Sequence, residues 1–176
     1  MEKLIQTVRV YTGKLINMNV DRIELPSGRR TLREYVIHRG AVAAVPLIER
    51  DVIFVKQYRY PVNKELLEIP AGTMEIGESP DETMRRELEE EIGFRPDKLV
   101  KLTSFFSTPG YTTEVIHLYL AKGLVPNKKK ADDDEYITVK RIPFEDALKM
   151  VLNGEIRDGK TIIALLILAN RTSLLT

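Results

Sequence analysis

Between Glu75 and Glu91 the chain sets eight carboxylates beside only two arginines, Arg85 and Arg86, and this crowded stretch limits the fold more than any other. Ser79 reads as a helix N-cap, Pro80 as the first helical position and Glu82 as the third. That is a capping box with the proline where its missing N–H does no harm. Gly93 is the natural residue just past the helix end. The spacing therefore predicts a helix from Pro80 of roughly three and a half turns, at about 3.6 residues each. At about 100° per residue, Met84, Leu88 and Ile92 fall on one narrow apolar stripe, and Glu87, Glu90 and Glu91 flank it within an arc of about 100°. Glu82 and Glu89 lie on the other side, where water is expected.

Like charges three and four positions apart on a helix repel. Asp81, Glu82 and Glu89 read as an ordinary solvated face. Glu87, Glu90 and Glu91 sit at the border of the core with too few cations beside them, and a divalent cation would relieve the repulsion. The approach to the helix is also specialised. Glu68, Ile69, Pro70, Ala71 and Gly72 run from a probable strand into a loop that holds Gly72 and Gly77, where backbone can come close to a ligand. Hard cations such as Mg²⁺ take carboxylates and backbone carbonyls and keep several waters.

Gly72, five residues, Glu78, seven residues, then Arg86, Glu87, Leu88, Glu89, Glu90, Glu91, Ile92, Gly93, Phe94 resembles the complete Nudix box, with every defined position filled. The resemblance implies an enzyme that cleaves nucleoside diphosphates linked to another moiety, with Mg²⁺ or Mn²⁺ held on the box helix. It makes Glu87, Glu90 and Glu91 metal ligands and the Ala71 carbonyl a further one. It pairs Arg86 with Glu78 to orient the carboxylates.

Residues outside the box resemble the ADP-ribose pyrophosphatase branch of that family. These are Arg33 and Glu34 ahead of His38, Gln57 to Tyr60, Leu67 to Gly72, and a Pro109-Gly110 loop followed by Glu114, with Pro109 fifteen residues beyond Phe94. By that resemblance Arg33, Arg59, Glu68, Pro109, Gly110 and Glu114 bind substrate. Arg59 offers a planar, permanently charged fork suited to phosphate oxygens, though beside Tyr58 and Tyr60 it also fits an ordinary surface position. The general base is open between Glu90 or Glu91, acting through a metal-bound water, and an acid of the loop Lys128 to Glu135, where Glu135 lines up best. The expected reaction is Mg²⁺-dependent cleavage of ADP-ribose to AMP and ribose 5-phosphate. The alternatives are another nucleoside diphosphate sugar such as GDP-mannose, or a non-catalytic nucleotide-binding module on the same fold.

The rest of the chain narrows the choice by exclusion. Its 176 residues give room for a core, and the net charge of +1 offers no nucleic-acid or membrane surface. Without cysteine there are no disulfides, thiol nucleophiles or cysteine-held zinc. His38 and His117 each lie in a strand-like run and read as structural. The most apolar stretch, Ile162 to Ala169, is eight residues long, far short of the roughly 20 of a membrane span. No secretory signal is apparent at the start, so a cytoplasmic address is expected.

Alternation predicts strands over Thr7 to Tyr11, Leu15 to Leu25 and Thr31 to His38, with a turn at Pro26, Ser27 and Gly28. Further strands are expected over Ala41 to Ile48, Val52 to Tyr58, Lys98 to Ser104, Val115 to Ala121 and Tyr136 to Ile142. Helices are expected over Pro143 to Asn153 and Gly159 to Arg171. This order fits an α+β fold, a Nudix-type α/β/α sandwich over residues 40–176 preceded by a small N-terminal antiparallel β-sheet over 1–39. The resemblance implies that the small sheet packs across a homodimer.

Overall fold

The computed structural model describes residues 1–129 and 136–175. The chain forms two compact units, one of Met1–Gly40 with Phe105–Val115 and one of Ala41–Ser104 with Ile116–Thr176.

The first unit is built on three antiparallel strands in sequence order, β1 (Lys3–Thr12), β2 (Asn17–Glu24) and β3 (Arg30–Ile37). The turn expected at Pro26, Ser27 and Gly28 joins β2 to β3. Gly28 takes a φ of 80° there, and its N–H donates to the Leu25 carbonyl at 2.8 Å. In the middle of the sheet the buried Asn19 accepts from Arg9 Nε at 2.5 Å and donates to Tyr35 Oη at 3.2 Å. Residues 105–115 attach to β3 through backbone bonds, Val36 N to Tyr111 O at 2.8 Å and Thr113 N to Val36 O at 3.0 Å. Every residue of β1 is exposed.

Among the described residues the second unit holds a seven-stranded mixed sheet and three α-helices. Its strands are β4 (Ala41–Ile48), β5 (Asp51–Arg59), β6 (Lys64–Glu68), β7 (Ala71–Thr73), β8 (Phe94–Phe106), β9 (Val115–Pro126) and β10 (Ile137–Pro143). The main path runs β10, β5, β4, β9, β8, with β6 on β5 and β7 on β4. β4 pairs in parallel with β9. Its sequence, AVAAVPLI, is buried along almost its whole length, as a strand covered on both faces requires.

Helix α1 (Pro80–Glu91) packs on one face of that sheet. Met84, Leu88 and Ile92 meet Val42, Ala44, Ile53, Val55, Tyr119 and Ala121 in one cluster. Each fully buried apolar side chain of this size contributes about 1.5–3 kcal/mol. Period-two alternation turns Ala43, Val45, Phe54, Leu118 and Leu120 to the other face, all of them buried. Helices α2 (Phe144–Leu152) and α3 (Gly159–Ala169) pack on each other, and α3 lies against β4. The result is the expected sandwich.

The loop expected around Gly72 is instead strand β7, because the stretch Ala41 to Ala43 of β4 offers it an antiparallel partner. The predicted start of α1 holds. Ser79 Oγ accepts from Glu82 N at 3.3 Å, and Glu82 Oε2 accepts from Ser79 N at 2.9 Å. Gly93 follows the helix with a φ of 76°, where a side chain would be strained. Two backbone bonds then fasten the helix end to the chain leaving β9: Asn127 N donates to Gly93 O at 2.9 Å and Lys129 N to Glu89 O at 3.1 Å.

Candidate active site

Helix α1 and strand β7 bring the box residues together. The carboxylate of Glu91 accepts from Ala71 N at 3.1 Å, and the carboxylate of Glu87 lies over Gly72, just where a Cβ would stand. The backbone of Ala71 and Gly72 is thus a floor on which two acids rest. Arg86 spans three carboxylates. Its Nη1 donates to Glu87 at 2.8 Å and to Glu90 at 3.0 Å, while Nε and Nη2 each reach Glu78 at 3.1 Å. The expected pairing of Arg86 with Glu78 is present. The Arg86 hydrogen bond holds the Glu78 carboxyl at about 2, well below the usual range. Hydrogen bonds from Arg86 to Glu78 in turn raise the guanidinium above its ordinary value.

Carboxylates and backbone carbonyls are the donors a hard cation takes; here Glu87 and Glu91 lie on the backbone of Gly72 and Ala71, and Glu90 shares Arg86 with Glu87. Among the described residues no three acidic or histidine side chains converge at metal-ligand spacing. In this arrangement Arg86 supplies a positive charge to both Glu87 and Glu90.

One expectation about the helix is corrected. Glu89 does not face water but is 1% exposed. Three donors from later in the chain cover it: Arg95 Nη1 at 2.8 Å, Asn127 Nδ2 at 2.8 Å and Lys129 Nζ at 2.6 Å. Burial pushes its carboxyl up, and these donors outweigh that and bring it below the ordinary value. By contrast Asp81 and Glu82 are exposed as expected.

Arg59 and Glu68 form a second cluster in the same unit. Glu68 is 1% exposed and accepts from Arg59 Nε and Nη2, both at 2.8 Å. It also accepts from Lys160 Nζ. Burial would raise the Glu68 carboxyl, but the Arg59 hydrogen bonds and Lys160 hold it below the usual range. Arg59 is raised by its bonds to Glu68 against the opposing effect of burial, and the charges of Asp158 and Glu91 add to that rise.

Lys160, Asp158 and Thr161 were not singled out in the sequence. The signal was there as Asp158-Gly159-Lys160-Thr161, an N-cap followed three residues on by its partner. Asp158 Oδ2 accepts from Thr161 N at 2.9 Å.

Arg33, Pro109, Gly110 and Glu114 belong to the first unit. Arg33 pairs with Glu2. Pro109 and Gly110 are exposed in a turn closed by Tyr111 N donating to Thr108 O at 3.1 Å. Glu114 lies 3.5 Å from His38 Nδ1, which accepts from Gly40 N at 3.1 Å. His117 Nδ1 is 2.9 Å from Ser104 Oγ, so both imidazoles have structural partners. Glu135 lies outside the described residues.

Comparison with known proteins agrees with the box. A family profile described as NUDIX domain matches residues 37–165. The chain is 42% identical over 167 residues to an ADP-ribose pyrophosphatase of Bacillus subtilis (strain 168), covering 93% of this chain and 90% of the relative. It is 42% identical over 166 residues to a methanol dehydrogenase activator of Bacillus methanolicus, covering 93% and 90%. A solved structure described as an ADP compounds hydrolase superposes with a TM-score of 0.88 at 22% identity, over 98% of this chain and 94% of that one, which shows a shared fold. With every defined position of the box filled and these likenesses spanning nearly all of its length, the chain belongs to the Nudix family and is a pyrophosphohydrolase.

Proposed function

We propose that this enzyme hydrolyses the pyrophosphate bond of ADP-ribose, giving AMP and ribose 5-phosphate, with Mg²⁺ as cofactor. The observation that carries the reading is the gathering of Glu87 and Glu91 on the backbone of Ala71 and Gly72, with Glu90 alongside on Arg86. The choice of ADP-ribose is supported by the name of the Bacillus subtilis relative. In the reaction water adds to one phosphorus while the bridging oxygen leaves with the other. Glu87, Glu90, Glu91 and the Ala71 carbonyl would hold the cation, which when bound polarises phosphoryl oxygens and lowers the pKa of water. Arg59 would take phosphate oxygens, with Glu68 as its counter-ion. The proposal also assigns substrate-binding roles to Arg33, Pro109, Gly110 and Glu114, and takes Glu90, Glu91 or Glu135 as the base.

The test is product release from ADP-ribose, other ADP-sugars, GDP-mannose and triphosphorylated RNA, each with Mg²⁺ and with EDTA. ADP-ribose is expected to dominate, and EDTA to abolish turnover. A preference for GDP-mannose would move the substrate assignment, and EDTA-resistant turnover would remove the cation.

The reading includes a homodimer formed through the N-terminal sheet, residues 1–39, with the remainder, 40–176, as the catalytic domain. Its support is β1, an edge strand on which Leu4, Val8, Val10 and Tyr11 are 47–57% exposed, an open hydrophobic edge of the kind that invites pairing. Light scattering is expected to give twice the 20.1 kDa chain mass, and a mass of one chain would sink the dimer. The cytoplasmic address expected from the sequence goes with this reading. Among the described residues no helix is long and apolar enough to cross a membrane.

A further inference from the structure

We infer that Lys160 is a positioning residue for substrate binding: through Glu68 it fixes the orientation in which Arg59 presents its guanidinium to a pyrophosphate. The inference rests on the reading that Arg59 holds substrate.

The geometry of the guanidinium is the starting point. A planar fork has two edges that can each make a pair of parallel bonds to an oxyanion. Glu68 occupies the edge formed by Nε and Nη2, at 2.8 Å to each. On the other edge Nη1 makes no hydrogen bond among the described residues, and the Arg59 side chain is 39% exposed. Where that edge points is decided by the plane of the Glu68 carboxylate.

Glu68 cannot set that plane alone, since a buried carboxylate turns to suit its donors. Lys160 Nζ supplies the second constraint by binding the same Oε2 that takes Arg59 Nη2. Lys160 is itself held, because its Nζ also donates to Asp158 Oδ1 at 2.9 Å and its side chain is 12% exposed. Asp158 is the N-cap of α3 and accepts from Thr161 Oγ1 at 2.5 Å. Thr161 Oγ1 accepts from Ile69 N at 2.9 Å, which fastens the first turn of α3 to the chain just before Ala71. The four charges of Arg59, Lys160, Glu68 and Asp158 balance. Removing Lys160 leaves one excess negative charge beside Arg59 and frees Glu68 to rotate, and both changes oppose an anionic substrate.

The test is steady-state kinetics on ADP-ribose for K160M, K160R, R59A and the double variant K160M/R59A. K160M is expected to raise KM on the order of 10-fold, as loss of an orienting partner does, with kcat within about twofold. K160R, which can bridge both carboxylates, is expected to bring KM back toward the native value. In the R59A background K160M is expected to add less than about twofold, because Lys160 acts through Arg59. An unchanged KM in K160M, or equal effects with and without Arg59, overturns the inference. Should K160M fail to fold, K160A removes the same donor and charge, and its KM is read in the same way. An unchanged KM in R59A itself would sink the binding role of Arg59, whereas a raised KM in R59A with a native KM in K160M sinks only the role of Lys160.

Discussion

Glu91→Gln and Glu90→Gln are each expected to lower kcat by about 10²-fold or more, the scale on which lost electrostatic stabilisation registers in an active site, while the thermal midpoint moves little. Glutamine keeps the shape of either side chain. At position 91 its carbonyl oxygen can still accept from Ala71 N, and at position 90 it can still accept from Arg86 Nη1, the bonds that place the native carboxylates. What disappears is one negative charge in a site whose proposed work is to hold a cation. Turnover and melting curves measured together separate the two effects. Near-native kcat in both variants would end the metal-site assignment, and a collapse in melting temperature would show that the acids are structural.

Gly72→Ala is the second large expected loss, and it removes no functional group. The added methyl would land on the Cδ and Oε1 atoms of Glu87, far inside van der Waals contact. The obstacle is the far end of a flexible side chain rather than backbone, so the cheap response is for Glu87 to swing away while β7 stays paired with β4. A displacement of about 1 Å in a reacting constellation can cost about 10²-fold in rate. Circular dichroism is expected to be native and kcat to fall at least about tenfold. An alanine variant with full activity would show that Glu87 has no need of its place above Gly72.

Much of the second unit was legible because its signals are local. Ser79, Pro80, Glu82 and Gly93 mark the two ends of α1 by chemistry confined to one turn at each end, and Met84, Leu88 and Ile92 mark its buried stripe by spacing alone. The alternating apolar strands followed from the same kind of period. What stayed hidden depends on partners distant in sequence. Helical spacing placed Glu89 opposite Glu87, but it could not show that Arg95, Asn127 and Lys129 come to cover that face. Lys160 lies 92 residues from Glu68, and nothing in its neighbourhood announces a buried acid waiting for it. β7 escaped notice because three residues carry too little period to read, and its pairing is decided by the edge that β4 offers.

The stitching of α1 to the chain beyond β9 has a bearing on how this sequence can drift. Asn127 and Lys129 bind the helix end through their own amide nitrogens, and every residue except proline owns such a nitrogen. Those two backbone bonds therefore survive most side-chain changes, but the side chains have a second duty, since Asn127 Nδ2 and Lys129 Nζ also cover the buried Glu89 of the terminal turn that carries Glu90 and Glu91. A residue inserted between them would throw the two amides out of step with the carbonyls of Gly93 and Glu89. The connection is strict in length through its amides and strict in spelling through the two side chains that cover Glu89.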